Sequence, residues 1–403
     1  MKYLIILGDG MADYPVEELG GKTPLNVANK PFIDGLAKIS EVGLCKTVPD
    51  GMKPGSDVAN LSVLGYAPNL YYTGRSPLEA ASIGIDLKDT DVTLRANLVT
   101  LSGNGEYEDL TMADYSAGEI STEEAKILIE YLANNLNTDE LKLYSGVSYR
   151  HCLVVANGKT GAELTPPHDI SDRPIKDYLP KGENANLYLS LMKRSYELLK
   201  DHPVNLQRVN IGKRPATSLW FWGEGTKPRL DLFKDKFGVS GAMISAVDLL
   251  KGIGKLAGMS VIEIDGATGN YDTNFIGKAD GAIDALRNGT DFVYIHMEAP
   301  DECGHQGNVK NKIFSIEQID ELVVKHIVTT LENDGEDFAI LIMPDHPTPI
   351  KLKTHVSDPV PYLLYRSNTK YPSTAVKYDE NNAKNTGNYV SVGYEIINKL
   401  LSK

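Results

Sequence analysis

A chain of 403 residues, 42% apolar and 24% charged, is long enough for two or three domains and has a globular composition, which excludes a disordered or fibrous chain. A net charge of −13 argues against non-specific affinity for nucleic acid or an anionic membrane, yet still permits a phosphorylated substrate, because arginines or metal ions can invert the field of one cleft. No window approaches the roughly eighteen apolar residues of a membrane span, so none is expected.

The chain opens with "MKYLIILGDGMADYP", whose short apolar run is too brief for a signal sequence and reads as a first strand ending at Gly8. "KPGSDVANLSVLGY" (53 to 66) reads as a helix start behind a Pro-Gly turn. From "TDVTLRANLVTL" the character changes to strand-like alternation, with a hairpin candidate at Ser102 to Gly105. Amphipathic helices near 121 to 136 and 185 to 200 and a strand "HCLVVAN" complete this stretch. We read 90–211 as an inserted α+β unit whose exit, "NIGKRPATSLWFWGEG", has hinge composition. A helix is expected over 241 to 258, and another over 311 to 333 from the spacing of Ile316, Ile319, Leu322, Val323, Ile327 and Leu331. Near-continuous apolar strands are expected at "DFVYIHM" (291), "FAILIMPDH" (338) and "VPYLLYR" (360), the pattern of a buried parallel sheet with functional loops at its carboxyl ends. The fold class is therefore α/β, a mostly parallel sheet sandwiched by helices, built from 1–89 and 212–403 around the insert. Three scattered cysteines (Cys45, Cys152, Cys303) give no disulfide framework and suit a reducing compartment, so a cytoplasmic location is expected.

Four segments place metal-ligand residue types where strands should end: Asp9 in "ILGDGM", Asp301 and His305 in "APDECGH", Asp345 and His346 in "IMPDHPTP", and His355 in "KTHVSDPVPY". Asp301 and His305 share one face if their segment is helical. Taken alone, Asp9 reads equally as a helix cap or a ligand, Ser56 as a cap, and His168 and His202 as surface loop or helix-end residues. The adjacent Asp345-His346 pair directly after an apolar strand is the more telling signal. With Ser56 the set reaches seven ligand-type residues, which could fill two sites, and mixed carboxylate and imidazole ligation suits divalent manganese or zinc better than calcium or magnesium. No Gly-x-Ser-x-Gly elbow or neighbouring histidine activates Ser56. A coordinated cation would, by stabilising the alkoxide.

"GDGMAD", "PGSDVANLSVLGY", "TGRSPLEAAS", "HMEAPDECGH", "MPDHPTP" and "THVSDPVPY" together resemble the cofactor-independent phosphoglycerate mutases of the archaeal type, within the alkaline phosphatase superfamily. The resemblance runs over nearly the whole chain. It implies interconversion of 3- and 2-phosphoglycerate through a phosphoserine, with two divalent metals (manganese or zinc, magnesium serving in assay) and neither 2,3-bisphosphoglycerate nor a nucleotide. It also implies that Asp9, Ser56, Asp345 and His346 hold one metal and Asp301, His305 and His355 the other. Ser56 would be the nucleophile, His151 a proton-transfer residue, and Arg150, Arg214, Arg75 and Glu298 substrate contacts, with the inserted unit as a lid. His151 equally fits a half-buried strand histidine. Ser76 stands where the family tends to have glycine, which puts the presentation of Arg75 in question. The expected partner is a small phosphorylated substrate, with no nucleic acid and no membrane; oligomeric state is left open. The alternatives are a homoserine kinase-like phosphotransferase or a phosphatase using the same centre, though no Walker-type loop is present, and a non-catalytic metal-binding scaffold.

Overall fold

The computed structural model describes residues 1–402. The chain divides into two compact units: Met1–Tyr72 with Arg229 onward, and Thr73–Pro228.

The first unit is built on an eight-stranded sheet in the order Ser260–Ile262, Gly241–Ile244, Phe292–Met297, Lys2–Gly8, Phe338–Met343, Val360–Arg366, Glu41–Cys45, Tyr389–Val390. Every residue of Phe292–Met297 and Phe338–Met343 is buried, which explains the unbroken apolar runs: a parallel strand with both faces covered has no polar face to show. Lys2–Gly8 lies between these two and pairs in parallel with both, so three consecutive carboxyl ends share one rim. Val360–Arg366 alone runs counter to its neighbours. Its amino end therefore meets the same rim, and the loop before it is delivered there as well.

Two expectations change in this unit. The stretch 241 to 258 is not one helix: "GAMI" is a strand and the helix is Asp248–Leu256, because a short apolar run is ambiguous between the two until a sheet is there to receive it. The long helix around 311 to 333 runs as Val309–Gln318 and Lys325–Asp334 joined by a π-helical turn, Ile319–Val324. That turn carries Asp320, whose carboxylate accepts from Ile33 N (2.6 Å) and Phe32 N (3.2 Å), satisfying amides at the start of the helix Pro31–Ala37.

The second unit is an antiparallel sheet. Val92–Ser102 is its centre, flanked by Arg150–Val155 and Ser218–Thr226; Thr111–Asp114 pairs with its last residues, and Leu141–Tyr144 lies beyond Arg150–Val155. Thr122–Leu136 and Ala185–Leu199 are its long helices. The expected limits, 90 and 211, are too narrow. Ser218–Thr226 pairs with the central strand from Val92↔Thr226 to Val99↔Ser218, and the "WFW" run read as a hinge is a sheet strand with Trp220 1% exposed. The helix Ser76–Ser82 also belongs here. The hairpin expected at Ser102 to Gly105 is present, with Val92–Ser102 and Thr111–Asp114 antiparallel and eight residues between them that include a 3-10 turn at Tyr107–Asp109.

Candidate metal and phosphoryl-transfer site

The rim of the large sheet collects the first unit's candidate residues. Asp9 follows Lys2–Gly8, Asp345 and His346 follow Phe338–Met343, and Asp301 and His305 sit one turn apart on the helix Ala299–Gln306 behind Phe292–Met297. His355 arrives on the loop before the antiparallel strand. The approach is close: Gly10 has φ +59°, and a Cβ there would lie 2.6 Å from Asp301 Oδ1, so only glycine fits.

Ligand-type atoms of Asp301, His305 and His355 all lie within 4.8 Å of one another, and so do those of Asp9, Asp301 and His346. His305 and His355 bring their Nε2 atoms to 2.9 Å, with Asp301 oxygens 3.2 and 3.4 Å away. His346 Nε2 lies 3.3 Å from Asp345 Oδ2, 3.7 Å from Asp9 Oδ1 and 3.2 Å from Ser56 Oγ. Asp301 thus reaches into both groups, where the resemblance assigned it to one.

Ser56 is not the helix cap. Gly55 takes that position, with extended backbone and no side-chain bond, and Ser56 opens the helix Ser56–Val63 with its hydroxyl turned to His346. The helix amino end and the hydroxyl therefore serve the same spot without competing.

The electrostatics call for cations. Burial pushes the Asp9 carboxyl well above its usual range, and nearby Asp345 and Asp301 add to this. Asp9 Oδ1 is buried and has no hydrogen-bond partner. Burial would lower His305, but the Asp301 carboxylate outweighs it and raises the imidazole to about 9. Burial would raise Asp301, but hydrogen bonds from His305 and His355 and the charge of His346 hold it well below the carboxylate range. Crowded carboxylates, converging imidazole nitrogens and an orphaned buried oxygen fit divalent cations.

Several supporting residues carry no sequence signal strong enough to single them out. His296 Nε2 meets Asp9 Oδ2 at 2.8 Å, and its Nδ1 meets Ser245 Oγ and Glu298 Oε1, each at 3.1 Å. Burial would lower His296, but the charge of Glu298 and the bond to Asp9 raise it to about 10, so it binds Asp9 as a cation. Asn60 Nδ2 donates to Asp345 Oδ2 and to Ser56 O, both at 2.8 Å, and its carbonyl accepts from Tyr294. Thr348 donates to Asp301. His305 Nδ1 meets Lys353 O at 3.0 Å, which fixes its ring. A histidine inside an apolar strand, as in "YIHM", and an asparagine four residues after Ser56 were the legible hints.

Glu298 is enclosed by the protein's own donors. It is 3% exposed, with its oxygens taken by Lys278, Ser245 Oγ (2.9 Å), Ala246 N (2.7 Å) and His296. It orients His296, and so Asp9.

The remaining expected residues lie in the second unit. Arg150 and Arg75 are there, with Arg75 Nε 3.0 Å from Glu79 Oε1. Arg214 pairs with Asp114 at 2.9 Å and also donates to Ala113 O, both inside its own unit, so it staples a strand end. His151 does not join Arg150. Alternate strand residues face opposite ways, and His151 pairs with Ala96 on the face that buries Leu94, Leu98 and Leu153. Its Nδ1 accepts from Gly146 N at 3.1 Å, and burial, with Arg150 adding, pushes the imidazole down to about 3. A neutral, core-facing histidine is a poor proton carrier near pH 7.

Fold and rim together define an α/β protein with a buried carboxylate–imidazole cluster suited to divalent cations, and a serine hydroxyl within it. Known proteins place it more closely. A profile described as 2,3-bisphosphoglycerate-independent phosphoglycerate mutase matches residues 37–205. The chain is 49% identical to a probable 2,3-bisphosphoglycerate-independent phosphoglycerate mutase of Geobacter sulfurreducens over 403 residues, covering 100% of both. It is 50% identical to the enzyme of that description from Methanosarcina barkeri over 386 residues, 95% of each chain. Among solved structures, a Pyrococcus horikoshii protein superimposes with TM-score 0.81 at 30% identity, covering 100% of this chain and 98% of that one. The cofactor-independent phosphoglycerate mutase of Thermoplasma acidophilum does so with TM-score 0.67 at 25% identity, covering 100% and 99%. The chain belongs to the 2,3-bisphosphoglycerate-independent phosphoglycerate mutase family. Among the described residues, no helix is long and apolar enough to cross a membrane.

Proposed function

We propose that the rim cluster is the phosphoryl-transfer centre of a phosphoglycerate mutase and that Ser56 is its nucleophile. The observation that carries this is Ser56 Oγ, 3.2 Å from His346 Nε2 and unclaimed by its own helix, beside the crowded carboxylates of Asp9, Asp301 and Asp345. The activity of the family is the interconversion of 3- and 2-phosphoglycerate, for which 2,3-bisphosphoglycerate is not needed.

Asp9, Asp345, His346 and Ser56 would hold one divalent ion and His305 and His355 the other, with Asp301 within reach of both. The oxygen and nitrogen donor set favours manganese or zinc. Bound there, the ions supply charge that favours the serine alkoxide and neutralises the transferring phosphoryl group. Ser56 Oγ then bonds to phosphorus as the phosphorus–O3 bond of 3-phosphoglycerate breaks, and the 2-hydroxyl of the retained glycerate takes the group back. One glycerate oxygen gains a proton and the other gives one up, so the isomerisation needs no outside donor. His296, held as a cation by Glu298, fixes one oxygen of Asp9, and Asn60 fixes both Asp345 and the first turn behind Ser56. Arg75 and Arg150 of the inserted unit would bind the glycerate. A cytoplasmic setting fits three cysteines that are all buried and unpaired.

A coupled assay in both directions on the metal-loaded protein tests the activity, with homoserine plus ATP as the control acceptor system. Interception of a covalent phosphate on Ser56 by acid quench and peptide mapping tests the assignment. A phosphate mapped to another residue sinks it.

A further inference from the structure

The turn "PDHPTPI" (344–350) after Phe338–Met343 has few backbone donors with which to hold itself. Its prolines at 344, 347 and 349 lack an N–H, so past His346 only Thr348 and Ile350 can donate. Both donate to the loop that follows Lys2–Gly8: Thr348 N to Ala12 O at 3.2 Å, and Ile350 N to both carboxylate oxygens of Asp13, each at 3.2 Å. Bridges from Pro347 to Met11 and Ala12 complete the contact. The loop that carries Asp9 and the turn that carries Asp345 and His346 are thus fastened to each other.

A lysine closes the fastening. Lys312 lies on Val309–Gln318, a helix that carries none of the candidate ligands, and its side chain is fully buried. Its Nζ donates to Asp13 Oδ2 at 2.7 Å, to Thr348 O at 2.8 Å and to Ala12 O at 3.4 Å, one acceptor for each N–H of the ammonium. Asp13 is anchored in turn, its N–H donating to Glu380 Oε1 at 3.1 Å while Glu380 Oε2 accepts from the Thr23 hydroxyl at 2.7 Å. The seat is tight: a Cβ added at Gly304, between Asp301 and His305, would lie 2.6 Å from Thr348 O. From this seat Thr348 Oγ1 donates to Asp301 Oδ1 and lies 3.3 Å from His346 Nδ1.

A buried ion pair adds little net stability over an apolar pair of the same shape, so stability alone is a poor account of Lys312 and Asp13. What the pair fixes is the place of Thr348, and through it the carboxylate that reaches both ligand groups.

We propose that Lys312 and Asp13 are positioning residues of the metal centre: their ion pair seats the Thr348 backbone, and Thr348 Oγ1 holds Asp301 between the two ligand groups. This rests on the reading of the rim cluster as a metal centre.

The test is Lys312→Met in the full chain, which keeps an unbranched side chain and removes the charge, read by chelator competition for manganese. The manganese dissociation constant should rise about 10-fold, the low end of what loss of a ligand-orienting group costs. In a Thr348→Val background, where the bond to Asp301 is already gone, adding Lys312→Met should move that constant by less than about twofold. A constant within about twofold of wild type in Lys312→Met overturns the proposal, whether or not the melting temperature of the metal-free protein falls. So does a 10-fold loss that persists undiminished in the Thr348→Val background, because Lys312 would then not act through Thr348. If Lys312→Met does not fold, Lys312→Met combined with Asp13→Asn, which leaves no buried charge unpaired, takes its place, and an unmoved constant again overturns the proposal. Wild-type protein that binds no manganese in the same competition would defeat the metal-centre reading instead.

Discussion

The two units build their polar clusters in opposite ways. In the sheet unit the cluster sits at strand ends: Asp345 and His346 are fully buried, and Asp345 is held by backbone amides and the neighbouring Asn60. In the inserted unit it sits on a sheet face, where Arg75 keeps about a third of its side chain exposed and the order comes from side chains holding side chains. The buried end cluster crowds carboxylates in a way that suits a divalent cation. The face cluster gathers Arg75, Arg95 and Arg150 around Glu79, and guanidinium groups suit a diffusing anion. The difference fits a resident group in one unit and a visiting one in the other.

The strongest way to break this contrast is Ser56→Ala, which should cost at least about a thousandfold in kcat with metal content unchanged. Residual turnover within tenfold of wild type would remove the serine from the mechanism. Next is His305→Ala, expected to lower the divalent ions retained per chain from two to one and activity by more than about a hundredfold, read by elemental analysis after dialysis. Two tightly held ions in that variant would mean the cluster does not hold the metals. His296→Gln should do less, weakening the ion held through Asp9 about 10- to 100-fold in a chelator competition, because it acts only by steering Asp9.

The smallest effect concerns pH and the inserted unit. Burial would raise the Glu79 carboxyl, but Arg95, Arg75 and Arg150 outweigh it and hold it below its ordinary 4.5. A carboxyl with a depressed folded value stabilises the fold above its unfolded value and loses that contribution as pH falls through the folded one. The stability gap between wild type and Glu79→Gln should therefore be steady above pH 4.5 and close below it, in urea melts from pH 7 to pH 3. A gap that stays constant to pH 3 would mean the arginines do not hold this carboxylate.

How much was legible follows from the same contrast. Asp9, Asp301, Asp345 and His346 declare themselves because each stands directly after an apolar strand, and a parallel sheet sends those positions to one rim. Which residue serves which ion was not legible, and the structure has Asp301 reaching both groups. The arginine cluster was half visible: Arg75 and Arg150 carry a charge that stands out in an acidic chain. Arg95 and Glu79 join them only through strand register and helix placement, which are not local properties. For the same reason His151 stayed open between a proton-transfer role and a half-buried strand histidine, since adjacency to Arg150 in a strand means the opposite face. Ser56 looked like a cap because Gly55, the residue that does the capping, has no side chain to advertise it.

The countercurrent strand Val360–Arg366 has one more consequence. The segment between His346 and His355 begins and ends within the cluster, and its middle, Lys351 to Lys353, is exposed and offers two trypsin sites. Its backbone is tethered by His305 at Lys353 O. Ion loading ties both ends of this strap, so the holoprotein should resist nicking at Lys351 and Lys353 where chelated protein is cut. The digestion rate would then report occupancy of the centre without any substrate present.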